Sequence, residues 1–195
     1  MPDPTPLTSP SLPQLRMEIG GLTSGRLSAE SSSSPPASGA FGLRTFREGD
    51  QDAWLALLQS GDFGHWDRER LDLMLASQFV RVPRDGIFFA TLDDRPVGTA
   101  STYLHQGDGG ILAELGWVVV EPRHRGRGLG LVVCRAVLDF IARLGFDRAY
   151  LLTDDFRLPA IQTYFKLGFE PAVTHASHPA RWQAIRAALA RPPKP

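Results

Sequence analysis

The chain has 195 residues, 43% of them hydrophobic, which is enough for one sizeable buried core. Lys+Arg and Asp+Glu both number 21, so the formal net charge is zero, and that argues against a general nucleic-acid binder. The single cysteine, Cys134, excludes an intramolecular disulfide, and no apolar run approaches the length of a membrane span.

In chain order, residues 1–40 read as a tail. Pro2, Pro4, Pro6, Pro10 and Pro13 open it, and Ser31 to Ser34 with Pro35 and Pro36 close it. Such a composition buries too little apolar surface to offset chain entropy, so disorder is expected, with at most a transient turn between Leu15 and Leu22. Met17 is a candidate alternative start. The N-terminus lacks the basic start and apolar core of a signal peptide, which makes a soluble cytoplasmic protein the expectation. A folded domain is expected over residues 41–190, followed by a Pro-rich end at 191–195.

Within that domain, Phe41 to Phe46 alternates as a strand. Helices are predicted over Asp52 to Ser60 and Asp67 to Gln78, joined by a glycine- and aromatic-rich loop containing Phe63, His65 and Trp66. Gly86 to Leu92 and Val97 to Leu104 form a hairpin around Asp93-Asp94-Arg95-Pro96, and Ile111 to Val120 is the next strand. Leu131 to Leu144 is apolar at helical spacing, with Arg135, Asp139 and Arg143 forming one polar stripe, so most of that helix is buried on a sheet. Cys134 lies in it as a buried thiol. Arg148 to Thr153 is a strand expected to run parallel to the preceding one. Pro159 suits the start of a helix that ends at Gly168. Phe169 to Thr174 adds a strand, and Pro179 to Ala190 a last helix.

The stretch that organises the rest runs from Trp117 to Gly130. A strand ending in Val118, Val119 and Val120 stops at Glu121-Pro122, and a loop with Arg123, His124, Arg125, Gly126, Arg127 and Gly128 leads into the long helix at Leu129 and Gly130. A helix N-terminus offers backbone N–H groups without intrahelical partners and partial positive charge, and glycines let the backbone approach phosphate. The loop reads as a pyrophosphate seat. It lacks the dinucleotide fingerprint, since Leu131 stands where the third glycine belongs, and it lacks the Gly-Lys-Ser/Thr of a P-loop.

Arg125-x-x-Gly128-x-Gly130 after a valine strand resembles the acetyl-CoA loop of the GCN5-related N-acetyltransferases. Leu151 to Phe169 resembles that family's second motif, with Ala160, Tyr164, Leu167, Gly168 and Phe169 in matching places and Arg157 where the family often has Asn. The resemblance covers about Phe41 to Ala172. It implies an α/β acyl-CoA N-acyltransferase fold whose mixed central sheet splays between its fourth and fifth strands, those ending at Val120 and Thr153, with flanking helices. It further implies that acetyl-CoA lies in the gap. Val118, Val119 and Val120 would line the pantetheine arm, with the Val118 N–H polarising the thioester carbonyl. Arg125, Gly126, Arg127, Gly128, Leu129 and Gly130 would hold the pyrophosphate, and Arg157 a phosphate.

Acetyl transfer to an amine needs a base for the ammonium and an acid for the leaving thiolate. The resemblance makes Tyr164 the acid and Glu114 the base, with His65, His105, His175 and His178 in reserve and His124 toward phosphate. Phe63, His65 and Trp66 are the acceptor candidates, joined by Tyr103, His175 and Trp182. The implied activity is transfer from acetyl-CoA to a primary amine by direct attack in a ternary complex, with a small-molecule acceptor, no metal, no nucleic acid and no membrane. Three alternatives stay open: a protein or peptide acetyltransferase, a non-catalytic acyl-CoA sensor, and a dinucleotide oxidoreductase using Asp154 or Asp155. Oligomeric state is not legible.

Overall fold

The computed structural model describes residues 12–22, 41–61, 63–77, 80–107 and 109–190. Their elements run β1 (Leu15–Gly20), β2 (Phe41–Thr45), α1 (Gln51–Gln59), α2 (Arg68–Ala76), β3 (Val80–Arg81), β4 (Ile87–Leu92), β5 (Arg95–Gly107), β6 (Gly110–Val120), α3 (Leu129–Arg143), β7 (Arg148–Thr153), α4 (Leu158–Lys166), β8 (Glu170–Ala172) and α5 (His178–Leu189). One mixed sheet takes the strands in the order β2-β4-β5-β6-β7-β1-β8, with β3 added beside β5. All neighbours are antiparallel except β6 and β7, which are parallel as the crossover through α3 requires.

Strand alternation divides the core into two layers. Phe88 and Ala90 of β4, Ala113 and Leu115 of β6, and Ala149 and Leu151 of β7 face α3, α4 and α5. Ile87 and Phe89 of β4, Tyr103 of β5 and Val119 of β6 face α1 and α2 through Trp54, Leu57, Leu58, Trp66 and Leu71. The second layer contains no residue of β1, β7 or β8 among those described. The sheet is therefore covered on both faces at β4 and β5, and on one face only at β7 and β1. The outward side chains there are Arg16, Glu18, Arg148, Tyr150 and Leu152; Leu152 is 42% exposed, and Tyr150, under the Arg16 guanidinium, is 8% exposed.

Most predicted elements form within a residue or two of their expected bounds, including the buried α3 with Cys134 fully enclosed. The prediction fails at the N-terminus. Residues 15–20, expected to be part of a disordered tail, form a strand seated between β7 and β8, in register from Leu15↔Thr153 to Gly20↔Arg148. Leu15 and Met17 are 0% exposed, each contributing roughly 1.5–3 kcal/mol by burial. The physical reason is a period-two pattern, Leu15, Met17 and Ile19 inward and Arg16 and Glu18 outward, that is short enough to be masked by the prolines and serines on either side. Gly21 turns the chain with φ +69°, and the Leu22 N–H donates to the Asp147 carbonyl at 2.9 Å. The folded unit thus begins before Phe41. The rest of the predicted tail, 1–11 and 23–40, and the end at 191–195 lie outside the described residues.

Candidate active site

The site begins where β6 and β7 part. Their only register pair is Glu114↔Tyr150; beyond it the strands no longer bond. Just past that point β6 bulges. Ser101↔Gly116 and Thr99↔Val119 leave Ala100 opposite both Trp117 and Val118. Trp117 takes φ +50°, a left-handed conformation costly for a bulky residue and typical of strained functional positions. Val118 therefore has no register partner on β5, and on its other side β7 has already turned away.

The loop after β6 is built for backbone exposure. Pro122–His124 makes one 3-10 turn, and Gly126 and Gly128 sit at φ +75° and +78°, where L side chains are strained. A Cβ at either glycine would meet nothing within 4 Å, so their role is conformational and leaves the loop's outer surface open. Gly128 is the N-cap of α3 and supplies no side-chain cap, so the first-turn amides of α3 remain available to an anion. This fits a pyrophosphate, with Gly126, Gly128, Leu129 and Gly130 offering amides.

The cations of the loop divide their work. The Arg125 Nε donates to the Val120 carbonyl at 3.0 Å and ties the loop to the strand. Arg123 pairs with Glu121 at 2.9 Å, and Glu121 also takes Arg95, which holds its carboxyl below the usual range against the opposing effect of its partial burial. Arg127 lies over the Phe41 ring at 5.8 Å. His124, expected to face phosphate, is instead buried, edge-on to Phe41 at 6.1 Å and 3.7 Å from Glu121.

Glu114 projects to the side of α1 and α2, beside its register partner Tyr103, where that layer gives way to the uncovered face. Its Oε2 accepts the Tyr150 hydroxyl at 2.9 Å and lies 2.7 Å from His105 Nε2, a close contact set off the line of the ring N–H. Burial and the adjacent Glu114 carboxylate push the Tyr150 phenol well up, so it stays a donor. Tyr164 sits on the other side of the sheet, on α4 in the layer with Cys134 and edge-on to Phe169 at 6.1 Å. Burial, with the Cys134 neighbour and against the opposing Arg157 charge, raises its phenol far above the ordinary tyrosine value, so it carries its proton at neutral pH. Glu114 and Tyr164 thus lie on opposite faces of the sheet, on either side of the place where β6 and β7 part.

Of the acceptor candidates, Phe63 lies at this opening. Its ring meets Trp117 at 5.1 Å and carries the Arg157 guanidinium at 4.6 Å, so the acceptor loop and the start of α4 touch across the gap. Arg157 also pairs with Asp154 at 2.9 Å. Trp66 is a packing residue, 3% exposed, 4.7 Å from Trp117. His65 is exposed beside Asp67 and is not brought to Glu114. Tyr103 is buried with its hydroxyl on Met74 Sδ at 3.1 Å, and Trp182 is in the core against Phe165. His175 bonds Ser177, and His178 is 0% exposed. Asp154 and Asp155 are engaged by Arg157 and Arg181. Sequence reasoning missed Tyr150 and Arg16, whose guanidinium lies 4.0 Å above the Tyr150 ring. The outward positions of the alternating run 15–20 were the available signal.

A strand that bulges where its parallel neighbour leaves it, feeding a left-handed glycine loop into a helix, is matched by the model of the acetyltransferase (GNAT) family over residues 51–169. The chain belongs to that family. A mycothiol acetyltransferase of Thermobispora bispora is 34% identical over 136 residues, 65% of this chain and 45% of its own length. Another, of Acidimicrobium ferrooxidans, is 32% identical over 134 residues, 65% of this chain and 43% of its own. The chain spans about half the length of the curated relatives it matches. The fold is shared with a GCN5-related N-acetyltransferase of Sphaerobacter thermophilus, at TM-score 0.56 and 20% identity over 83% of this chain and 50% of that one. Among the described residues no helix is long and apolar enough to cross a membrane, and no cluster of His, Cys, Asp and Glu could hold a metal ion.

Proposed function

We propose that the protein is an N-acetyltransferase that moves an acetyl group from acetyl-CoA to the primary amine of a small molecule. The observation that carries this reading is the parting of β6 and β7 after Glu114↔Tyr150, next to a bulge that leaves Val118 unpaired. An extended arm can enter there as a further strand would, with the glycine loop taking its phosphates. Relatives named for mycothiol, a small molecule, support a small acceptor over a peptide.

In this reading the amine arrives on the uncovered face and gives up its proton to Glu114, directly or through water. The neutral amine attacks the thioester carbonyl, whose oxygen is met by the Val118 N–H. The C–S bond then breaks toward the helix layer, where Tyr164 protonates the departing sulfur, and the second proton shed by the nitrogen as the amide forms passes to water, which restores Tyr164. Approach of amine and departure of thiol on opposite sides of one gap suits direct transfer without an acyl-enzyme. Cys134 is no nucleophile here: it is buried and its thiol is pushed far up by that burial. The test is release of free CoA from acetyl-CoA across a panel of small amines and peptides, with the acetylated product identified. Acetyl-CoA binding without turnover on any amine would contradict the reading.

A further inference from the structure

We propose that the acceptor is an amine that also bears a carboxylate or comparable anionic group, its amine at Glu114 and its anion on Arg16. This rests on the transferase reading above and adds the acceptor's chemistry to it.

The uncovered face carries charges of opposite sign at two places, with Tyr150 between them. Its hydroxyl donates to Glu114 at 2.9 Å, and the Arg16 guanidinium lies flat on its ring at 4.0 Å. One rigid side chain thereby spaces a carboxylate from a guanidinium. Arg16 is held in place by more than the ring. Its Nε donates to Glu18 Oε1 at 2.7 Å, and it sits on β1, locked between two strands. Among the described residues Glu18 is its only acceptor and engages only Nε, which leaves both terminal nitrogens of the fork without a protein acceptor. Glu18 is shared with Arg148 at 3.7 Å, and Glu170 of β8 stands beside it on the same face, so both cations here have carboxylates nearby and it is the unused fork of Arg16 that marks this end of the row. At the other end Glu114 and His105 form the amine side.

A planar fork with two unused donors matches a carboxylate or phosphate bidentately. A plain alkylamine would leave it unused, and a diamine would be repelled by it. The acetyl group must meet the amine near Glu114, so an anion on Arg16 would orient the acceptor as well as hold it.

The experiment uses the full chain and matched acceptors with and without a carboxylate: β-alanine against propylamine, and phenylalanine against phenethylamine. Rates are compared per unprotonated amine. Wild type is expected to prefer the carboxylated member by at least about tenfold in kcat/KM, the size of one charged hydrogen-bonded contact. Arg16→Gln should remove the preference by raising KM for the carboxylated member more than for the plain amine, so that the ratio of the two kcat/KM values falls to about one. Arg16→Lys, which keeps the charge and the strand, should retain part of it and serves as the reading variant if Arg16→Gln does not fold. No preference in wild type, or an undiminished preference in a folded Arg16→Gln, overturns the inference and leaves the transferase reading intact. Absence of CoA release with every amine, with acetyl-CoA bound, overturns both.

Discussion

The two halves of the site are made of different material. The proposed donor half, from the bulge at Trp117 through the loop to α3, is contiguous in sequence and offers backbone: left-handed glycines, an uncapped helix start and an unpaired Val118. The proposed acceptor half is made of side chains from β1, β5, β6 and β7, brought together only by the sheet: Arg16, His105, Glu114 and Tyr150. A backbone seat for a common cofactor tolerates change in most side chains around it. A side-chain site on an uncovered face can be rewritten strand by strand without disturbing the donor, so one fold can serve many acceptors.

The largest effect should come from the strand that the acceptor half borrows. Met17→Ala removes a fully buried side chain between β7 and β8 and should cost about 2–5 kcal/mol, read as a large fall in melting temperature or denaturant midpoint. Unchanged stability would detach β1 from the sheet and dissolve the acceptor half as drawn. Next is Tyr164→Phe, which keeps the packing and removes a proton donor. It should lower kcat roughly a hundredfold or more, with acetyl-CoA affinity nearly unchanged and stability altered by about 1 kcal/mol. Wild-type kcat in this variant would make Tyr164 a core residue and move protonation of the thiolate to water.

Glu114→Gln tests the other side of the gap. It should lower turnover by about tenfold to a hundredfold at neutral pH and spare acetyl-CoA binding; equal turnover would pass the base role to His105. Smaller still, Gly128→Ala should weaken CoA binding by about tenfold through the strain of φ +78° alone, because the added methyl has open space. Calorimetry showing wild-type affinity would remove this loop from the donor half. The mildest effect is in pH. Tyr103, Tyr150 and Tyr164 all have phenols raised above 10.0 in the fold, chiefly by burial. The folded state holds these protons more tightly than the unfolded chain. Their contribution to stability is thus complete below about pH 10 and lost as pH rises beyond it. Alkaline melting curves should show a decline there that flattens in Tyr150→Phe.

This division also explains what could be read in advance. The loop, Arg125 to Gly130, and the motif ending at Leu167-Gly168-Phe169 are local patterns, and their elements formed where expected. Glu114 could be named because it lies on the strand that enters the loop pattern, and Phe63 because it belongs to the glycine- and aromatic-rich loop between the first two helices. Trp66, Tyr103 and Trp182 are buried in packing, and an aromatic residue looks the same in sequence whether it lines a cavity or fills one. The alternation of residues 15–20 marks Arg16 as outward, but not its pairing with Tyr150: Arg16 reaches that ring only once β1 lies beside β7, at a sequence distance no local period spans.

The seating of β1 has a consequence for how the molecule is made. Its partners are Arg148–Thr153 and Glu170–Ala172, so the earliest strand among the described residues pairs with two of the latest. Leu15 must wait for Thr153, and Arg16 for Ala172. Contacts of such long sequence separation close slowly, since chain entropy is lost before they form. Until they do, β7 presents an unpaired edge and the apolar row Leu15, Met17 and Ile19 stays in water, a combination that invites pairing between chains. During synthesis, then, the N-terminal strand and the slot that will receive it exist at different times, and the domain closes only when its far end arrives.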